Sequence, residues 1–441
     1  MDLSLRLRLS VMMFLEYFIW GAWGVVIFTF MQTDPAKDGL GFPGPLVGWI
    51  DSTLAIGAMI SPLFLGLFAD RLFATQKLLA VLHIAGAALL TWAGYHCSQS
   101  VAALQAATPG DPVAVNAAFR PFFWIMLGYA LCYMPTLTLT NSLSFRNLSD
   151  PDRYFGSIRV WGTGGWIAAG LLVGLCLKSV SAQPLLLAAV ASLGLGVFCV
   201  FLPHTPPAGG SKTLGDALGL PALAMVKDPS FLVFVICSLL ISVVLKFYYQ
   251  QGNPFLTDLG VGGSAAVQTI GQMSEIFFML LIPVGLRWLG TKGMLVAGML
   301  AWCLRYAIFA TQNVPAVIGI GLPLHGICYD FFFVVSYLYV DRQAPSHLRA
   351  SAQGMITFVT LGVGMFIGAL FAGEVVQRFT TGIGKAWTPI WLIPLAGSAV
   401  ATAIFWLLFR EPATRLEPVS VRKAMEALEP AEPAEPRDLK I

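Results

Sequence analysis

Charged residues are scarce in this chain, and their scarcity excludes an ordinary soluble fold. Of its 441 residues 11% are charged and 57% are hydrophobic, whereas soluble globular proteins carry about 25% charged residues. The net charge is +3 and no basic run occurs, so nothing indicates nucleic-acid binding. The composition indicates a protein embedded in a lipid bilayer.

Motifs for catalysis, metal binding and ATP hydrolysis are also lacking. None of the seven cysteines falls in a CxxC pair, so we expect apolar packing residues and neither disulfides nor metal ligands. No P-loop, nucleophile elbow or HExxH motif occurs. We therefore expect no enzyme, no cofactor and no metal. The first residues carry Arg6 and Arg8 and run into an apolar segment without a cleavage site, which predicts a retained first helix.

In place of such motifs, the chain contains long apolar runs. Each is about 19 residues or longer, which suits a membrane-spanning helix. The runs lie near residues 10–31, 45–69, 78–96, 121–141, 158–177, 183–203, 230–250, 266–287, 292–311, 314–340, 353–375 and 386–409. We predict an all-α polytopic membrane protein with twelve transmembrane helices.

The polar segments between the runs predict the orientation of the chain in the membrane and its division into two halves. Alternating the loops between two sides places most basic residues, from Arg6 to Arg349, on the side of the N-terminus. That side is therefore cytoplasmic, with both termini inside. A Pro- and Gly-bearing linker at 204–229 separates six-helix halves at 1–203 and 230–410, the plan of a two-half transporter. The tail at 411–441 is rich in Glu, Pro and Ala and is expected to be disordered.

Ionisable residues inside the predicted spans are the strongest functional signal. Each would cost roughly 2.5–3.5 kcal/mol at the centre of a lipid-facing helix, so we expect them to face a bundle interior or a wet cavity. Glu16 and Asp51 are candidate proton carriers or fixed partners for Arg159, and Arg305 a candidate partner for an acidic residue of the second half. The seven are Glu16, Asp51, Arg159, Lys246, Glu275, Arg305 and Asp330.

Two helical faces carry candidate ligand-binding groups. Arg159, Thr163 and Trp166 share one face of the fifth span, where a guanidinium, a hydroxyl and an indole suit a flat polar ligand. Alternatively, Arg159 extends to lipid phosphates. In the eighth span, Gln272 and Glu275 share a face and could grip a base edge or hydroxyls. An ion pair of Glu275 with a nearby Lys or Arg is the alternative.

The seventh and tenth spans add further polar groups. Lys246 and Tyr249 lie three residues apart in the polar segment KFYYQQGNPF, which either contacts a ligand or forms an interfacial aromatic belt. In HGICYDFFF, His325 and Tyr329 are four apart and Asp330 follows. His325 can titrate near neutral pH or can be a hydrogen-bonded packing residue. No second histidine is near enough to complete a metal site.

Several motifs together resemble the nucleoside:proton symporter family of the major facilitator superfamily over almost the whole length. They are FIWGAWG, LCYMPTLTLTNSLSF, IRVWGTGGW, GQMSEIFF, AWCLRYAIFA, YDFFF and RASAQGM, with GLFADRLFATQK as the loop after the second span. The resemblance implies two six-helix halves, alternating access and a central nucleoside site. It assigns to that site Arg159, Thr163, Trp166, Gln272, Glu275, Tyr329 and Asp330.

The chain departs from that family pattern at several site positions. Lys246 and Tyr249 stand where the family has Gln and Asn, His325 where it has Tyr, and Glu16 where it has Gln. We hypothesise that Lys246 and Glu275 form an ion pair that is broken or protonated during transport. The candidates for proton coupling are Glu275, Asp330, Glu16 and His325.

These observations predict a secondary active transporter in the cytoplasmic (inner) membrane that couples nucleoside uptake to protons. Its expected partners are a nucleoside-like small molecule, protons and the lipid bilayer, and we expect a monomer. A symporter of the same fold for another polar metabolite, such as a sugar, is the first alternative. A non-transporting membrane sensor or a membrane-embedded enzyme is the second.

Overall fold

The computed structural model describes residues 2–64, 73–207, 215, 220–382 and 384–411. Most of the predicted loop after the second span, part of the linker and residues 412–441 of the tail lie outside the described residues.

The described residues of the first part of the chain form seven α-helices. Several begin where an Asp side chain caps a helix whose first residue is proline, as at Asp111 and Asp150, because the aspartate accepts a free amide hydrogen and proline has none to lose. The helices are α1 (Leu3–Gly24), α2 (Ile27–Gln32), α3 (Gly44–Phe64), α4 (Thr75–Ala106), α5 (Pro112–Asn147), α6 (Pro151–Cys176) and α7 (Gln183–Phe198). Short 3-10 turns lie at Pro35–Lys37 and Cys199–Phe201.

The second part is helical too, and its last spans are more broken. Its helices are α8 (Pro229–Asp258), α9 (Ser264–Ala310), α10 (Val314–Ala316), α11 (Leu324–Tyr329), α12 (Val335–Gln343), α13 (Arg349–Thr357), α14 (Met365–Arg378) and α15 (Trp387–Leu408). The antiparallel pair β1 (Thr380–Thr381) and β2 (Gly384–Lys385) joins α14 to α15. Further 3-10 turns lie at Leu220–Lys227 and Ser346–Leu348.

The all-α membrane fold is confirmed, and each predicted run overlaps helical structure. In the described residues, nine helices are long and apolar enough to cross a membrane, or ten if the pair Val314–Gly321 and Leu324–Gln343, bent by 48°, is one span. Helix α9 has 47 residues and would be about 70 Å long if straight, over twice the bilayer core. It breaks at Gly290, where φ is 66°, between the predicted eighth and ninth spans.

Three π-helical segments interrupt the late spans at Val317–Gly321, Asp330–Val334 and Phe358–Gly364. Such bulges change which side chains face inward and are frequent at functional sites. One of them begins at a predicted site residue, Asp330.

Two hydrophobic clusters make up the core. The first is built from residues between Leu9 and Leu202 and also includes Ala265 of α9. The second is built from residues between Ala222 and Phe409 and also includes Ala55 of α3. Helices α3 and α9 therefore pack each part of the chain against the other.

The two parts of the chain meet closely at one end of the molecule, where α3 begins and α14 ends; we call it the closed end. A methyl group on Gly44 would meet the carbonyl oxygen of Gly373, so these helices approach through glycine. The Gly44 amide donates to Gln377 Oε1 at 2.9 Å, and Thr29 Oγ1 donates to Asn253 Oδ1 at 2.7 Å. The charge bias of the loops predicts that this end faces away from the cytoplasm.

Candidate functional site

The predicted stripe on α6 lies against α1. The guanidinium carbon of Arg159 sits 4.0 Å from the centre of the Tyr17 ring, a cation–π contact. The Trp166 ring meets Trp20 edge-on with 5.4 Å between centroids. Arg159, Thr163 and Trp166 are all partly exposed. The stripe thus keeps a cation, a hydroxyl and an indole ring partly accessible.

Glycine on α6 permits this arrangement. A Cβ atom at Gly165 would meet the carbonyl oxygen of Phe14, and one at Gly162 would lie 2.7 Å from both Arg159 Nη1 and the Tyr17 ring. The motif RVWGTGGW therefore brings α1 and α6 into direct backbone contact. This contact positions Tyr17 beneath Arg159.

In the second part of the chain, His325 lies between Arg305 and Glu275. Arg305 Nη1 lies 2.7 Å from His325 Nδ1, and His325 Nε2 lies 2.9 Å from Glu275 Oε1. An arginine can only donate hydrogen bonds, so Nδ1 accepts. His325 is then a neutral tautomer whose Nε2 carries the proton next to Glu275.

Aromatic rings enclose this arrangement. Arg305 is fully buried and lies 3.6 Å from the centre of the Tyr248 ring. Tyr249 and Tyr329 approach the His325 ring with centroids 6.2 Å and 6.0 Å away. Both tyrosines are partly exposed, and they form the edge of the cluster.

Asp330 differs from the other buried charges. It is fully buried, and neither carboxylate oxygen has a hydrogen-bond partner among the residues that the structure describes. An ionised carboxylate in that position would carry a desolvation cost of several kcal/mol. A proton or a bound group is therefore needed to satisfy it.

Charges of both parts of the chain act on the same groups. Arg305 and Arg159 lie within electrostatic range of Glu275, and Glu275 lies within range of Asp330. Tyr329 is within range of Arg159 and Glu275. Helices α6 and α9 also pack directly on each other, because a Cβ atom on Gly170 would lie 2.6 Å from the Thr269 side chain. We call the region between the α6 stripe and the His325 cluster the shared region. Gln272, one helical turn before Glu275, is also partly exposed.

The predicted ion pair between Lys246 and Glu275 is wrong. Lys246 Nζ lies 2.6 Å from Asp51 Oδ1, while Glu275 contacts His325. The sequence identified the charges but not their partners, because each partner comes from a distant helix. With its ammonium group engaged by Asp51, Lys246 does not border the shared region as a free cation.

Glu16 lies in a separate network inside the first part of the chain. Its Oε2 is 3.0 Å from His83 Nε2, and its Oε1 accepts a 2.6 Å hydrogen bond from Thr136. Tyr133 donates to the Glu16 carbonyl oxygen at 2.7 Å. Glu16 is therefore not the partner of Arg159, one of the alternatives that the sequence left open.

Several polar and aromatic residues near the site were not identified from the sequence as contacts. The sequence features that could have pointed to them are the unusually polar end of the seventh span and the aromatic FIWGAWG motif. Gln251 Oε1 is buried without a partner, and Asn253 joins α2, α8 and α9 through hydrogen bonds. The residues missed are Tyr17, Trp20, His83, Tyr248, Gln250, Gln251 and Asn253.

Comparison with known proteins supports one family. Residues 1–414 match the family described as nucleoside H+ symporter. The YegT protein of Escherichia coli (strain K12) is 37% identical, over 94% of this chain and 96% of its own length. The xanthosine permease of the same organism is 32% identical, over 92% and 95%. A crystal structure of the nucleoside transporter NupG, 30% identical, superposes with a TM-score of 0.79 over 93% of this chain and 100% of its own. The chain belongs to the nucleoside H+ symporter family, as its motifs predicted.

Proposed function

We propose that the protein imports nucleosides together with protons by alternating access. The observation that carries the proposal is the shared region between the α6 stripe and the His325 cluster. It lies between α6 and α9, helices from the two parts of the chain that pack on each other at Gly170 and Thr269, and in a transporter of two halves the substrate binds at their interface. The xanthosine permease and NupG lend support as relatives whose names state nucleoside substrates.

The chemistry of this region suits a nucleoside. Trp166, Tyr249 and Tyr329 offer ring faces on which a base can stack. Arg159, Thr163 and Gln272 offer donors and acceptors to base edges and ribose hydroxyls. A metabolite without a flat ring, such as a sugar, would leave the aromatic faces unused.

Proton coupling is proposed to run through Glu275 and Asp330, with His325 between Arg305 and Glu275 as a relay. Within the described part of the chain, neither oxygen of Asp330 has a hydrogen-bond partner, so protonation would satisfy it. Proton binding and nucleoside binding would then act on neighbouring groups in one region. The Glu16 carboxylate contacts His83 and Thr136, and the Glu16 carbonyl oxygen accepts from Tyr133. Glu16 is therefore the weaker candidate for coupling.

The remaining proposals concern the setting of this activity. The chain would act as a monomer in the inner membrane, with both termini in the cytoplasm and no catalytic reaction. Residues 1–203 and 230–410 would move as two halves, joined by a linker at 204–229. Apart from Ala265 and Ala55, one hydrophobic cluster contains residues up to Leu202 and the other contains residues from Ala222 onward. This boundary supports the division.

Uptake competition would test the substrate class. Purified protein in proteoliposomes, with an inward proton gradient, is given labelled uridine in the presence of excess nucleosides, nucleobases or sugars. We expect purine or pyrimidine nucleosides to compete and sugars not to. Competition by sugars alone would overturn the nucleoside assignment, and absence of any flux would favour the sensor or enzyme alternative.

A further inference from the structure

Asp51 joins the two parts of the chain through a buried ion pair. It lies on α3, and Lys246 Nζ of α8 lies 2.6 Å from its Oδ1, with side chains 0% and 8% exposed respectively. Gln250, one turn further along α8, donates to Asp51 Oδ2 at 2.8 Å. The same amide donates to the carbonyl oxygen of Ala369 on α14 at 3.0 Å. Both carboxylate oxygens of Asp51 are thus held from the other side of the interface.

These contacts lie directly beneath the closed end. Gly48, almost one turn before Asp51, packs on Ala369 so closely that a Cβ atom would lie 2.7 Å from the Ala369 carbonyl oxygen. A Cβ atom at Gly368 would lie equally close, at 2.7 Å, to the Cβ atom of Lys246. Helices α3, α8 and α14 therefore meet at one tightly packed point around the ion pair.

We propose that Asp51, Lys246 and Gln250 form a latch that holds the closed end shut and must break when that end opens. The inference rests on the proposed function to the extent that alternating access requires this end to open. Separating α3 from α8 and α14 would break the contacts of Asp51 with Lys246 and Gln250 together, whereas the Gln250–Ala369 hydrogen bond lies within the second part of the chain and would remain. The latch therefore biases the equilibrium between the two access states.

The two charges depend on each other. Removing one partner leaves an uncompensated buried charge, which destabilises the closed form strongly, whereas removing both can be nearly neutral. Lys246 thus acts on the conformational equilibrium and is a positioning residue, which explains why a lysine is tolerated where the family has a neutral amide.

The test measures how readily a thiol reagent reaches a cysteine at the closed end, with no substrate present. Ala265 is 1% exposed and packs into the hydrophobic cluster of the first part of the chain, so Ala265→Cys is shielded until the parts separate. The exposed Cys176 is replaced by serine in all variants. The rate of maleimide labelling is measured on purified protein in lipid nanodiscs, where both membrane faces are accessible.

We expect Asp51→Asn and Lys246→Met each to raise the labelling rate by about tenfold or more. The double variant Asp51→Asn/Lys246→Met should label more slowly than either single variant. Gln250→Ala keeps both charges and should raise the rate by about threefold. If the single variants do not fold, Gln250→Ala and the double variant decide the question.

The matched control is the exposed ion pair of Asp38 and Lys178, which lies within the first part of the chain with side chains 50% and 58% exposed. Asp38→Asn should leave the labelling rate unchanged. Unchanged rates in the latch variants, or an equal rise in Asp38→Asn, would overturn the latch. Because no nucleoside is present, this result is independent of whether uridine is transported.

Discussion

At the residue scale, the buried charges in this protein differ in the groups that they contact. Asp51 contacts Lys246, Glu16 contacts His83, and Glu275 contacts His325. Each contact joins different helices, so each charge restrains the bundle as well as serving any chemistry. Asp330, whose oxygens have no hydrogen-bond partner in the described ranges, is the exception, and this is why we assign it a role in proton binding.

Asp330→Asn should abolish accumulation driven by a proton gradient but not nucleoside exchange at equal concentrations. The amide keeps the shape of the side chain, and no ion pair is lost. The thermal unfolding temperature should stay the same or rise, because a group that is costly to ionise has been removed. Uridine accumulation and exchange in proteoliposomes measure this, with the exposed Asp341→Asn as control. Full accumulation by Asp330→Asn would contradict the assignment.

Glu16 should prove structural. Glu16→Ala removes the buried carboxylate that contacts Thr136 Oγ1 and His83 Nε2 and should lower the free energy of unfolding by about 3–5 kcal/mol. Glu16→Gln retains an acceptor and should cost only about 1 kcal/mol. Reversible unfolding in mixed detergent micelles gives both values. Proton-driven uptake should survive in Glu16→Gln, and its loss would make Glu16 a proton carrier instead.

At the element scale, helix positions were predictable and helix pairing was not. Apolar runs of sufficient length must become helices in lipid, because a helix is the only structure in which a single segment satisfies all of its own backbone hydrogen bonds. Helical periodicity likewise predicted that Arg159, Thr163 and Trp166 share a face. The partner of Lys246 could not be predicted, since Asp51 lies in a distant helix and several acidic residues were available.

Close contact between α1 and α6 should be essential for binding. Gly165→Ala places a methyl group against the backbone of Phe14, so α1 must shift and carry Tyr17 away from Arg159. We expect the KM for nucleoside to rise by about tenfold or more. The control is Gly164→Ala, where the nearest atom is 4.0 Å from the new methyl group. Equal KM values for the two variants would show that this contact does not shape the site.

The loop before α3 should respond to acid. Hydrogen bonds from Lys178 and Gln105, together with the Lys178 charge, lower the pKa of Asp38. A lowered folded-state pKa stabilises the protein above the carboxyl's unfolded pKa, about 3.9, and that stabilisation is lost as the pH falls. Asp38→Asn should therefore lower the unfolding temperature slightly at neutral pH and not at about pH 3. High salt should reduce the difference; a larger effect in acid would contradict the sign.

At the scale of the whole molecule, the structure is closed at one end and carries polar and aromatic groups of both parts around a shared interior region. The family match, over residues 1–414, accounts for the fold, whereas the candidate site positions stay predictions from the motifs. Tyr17, Trp20 and the Glu16 network lie outside what the motifs alone could assign. Their contribution depends on how α1 packs against α5 and α6.

The central claim is that nucleoside movement is coupled to protons. The most direct measurement is proton entry into proteoliposomes that contain a pH-sensitive dye, after uridine is added outside without an imposed gradient. We predict that uridine acidifies the lumen in vesicles with the wild-type protein and not in vesicles with Asp330→Asn. Uridine entry without acidification of the wild-type vesicles would contradict the account.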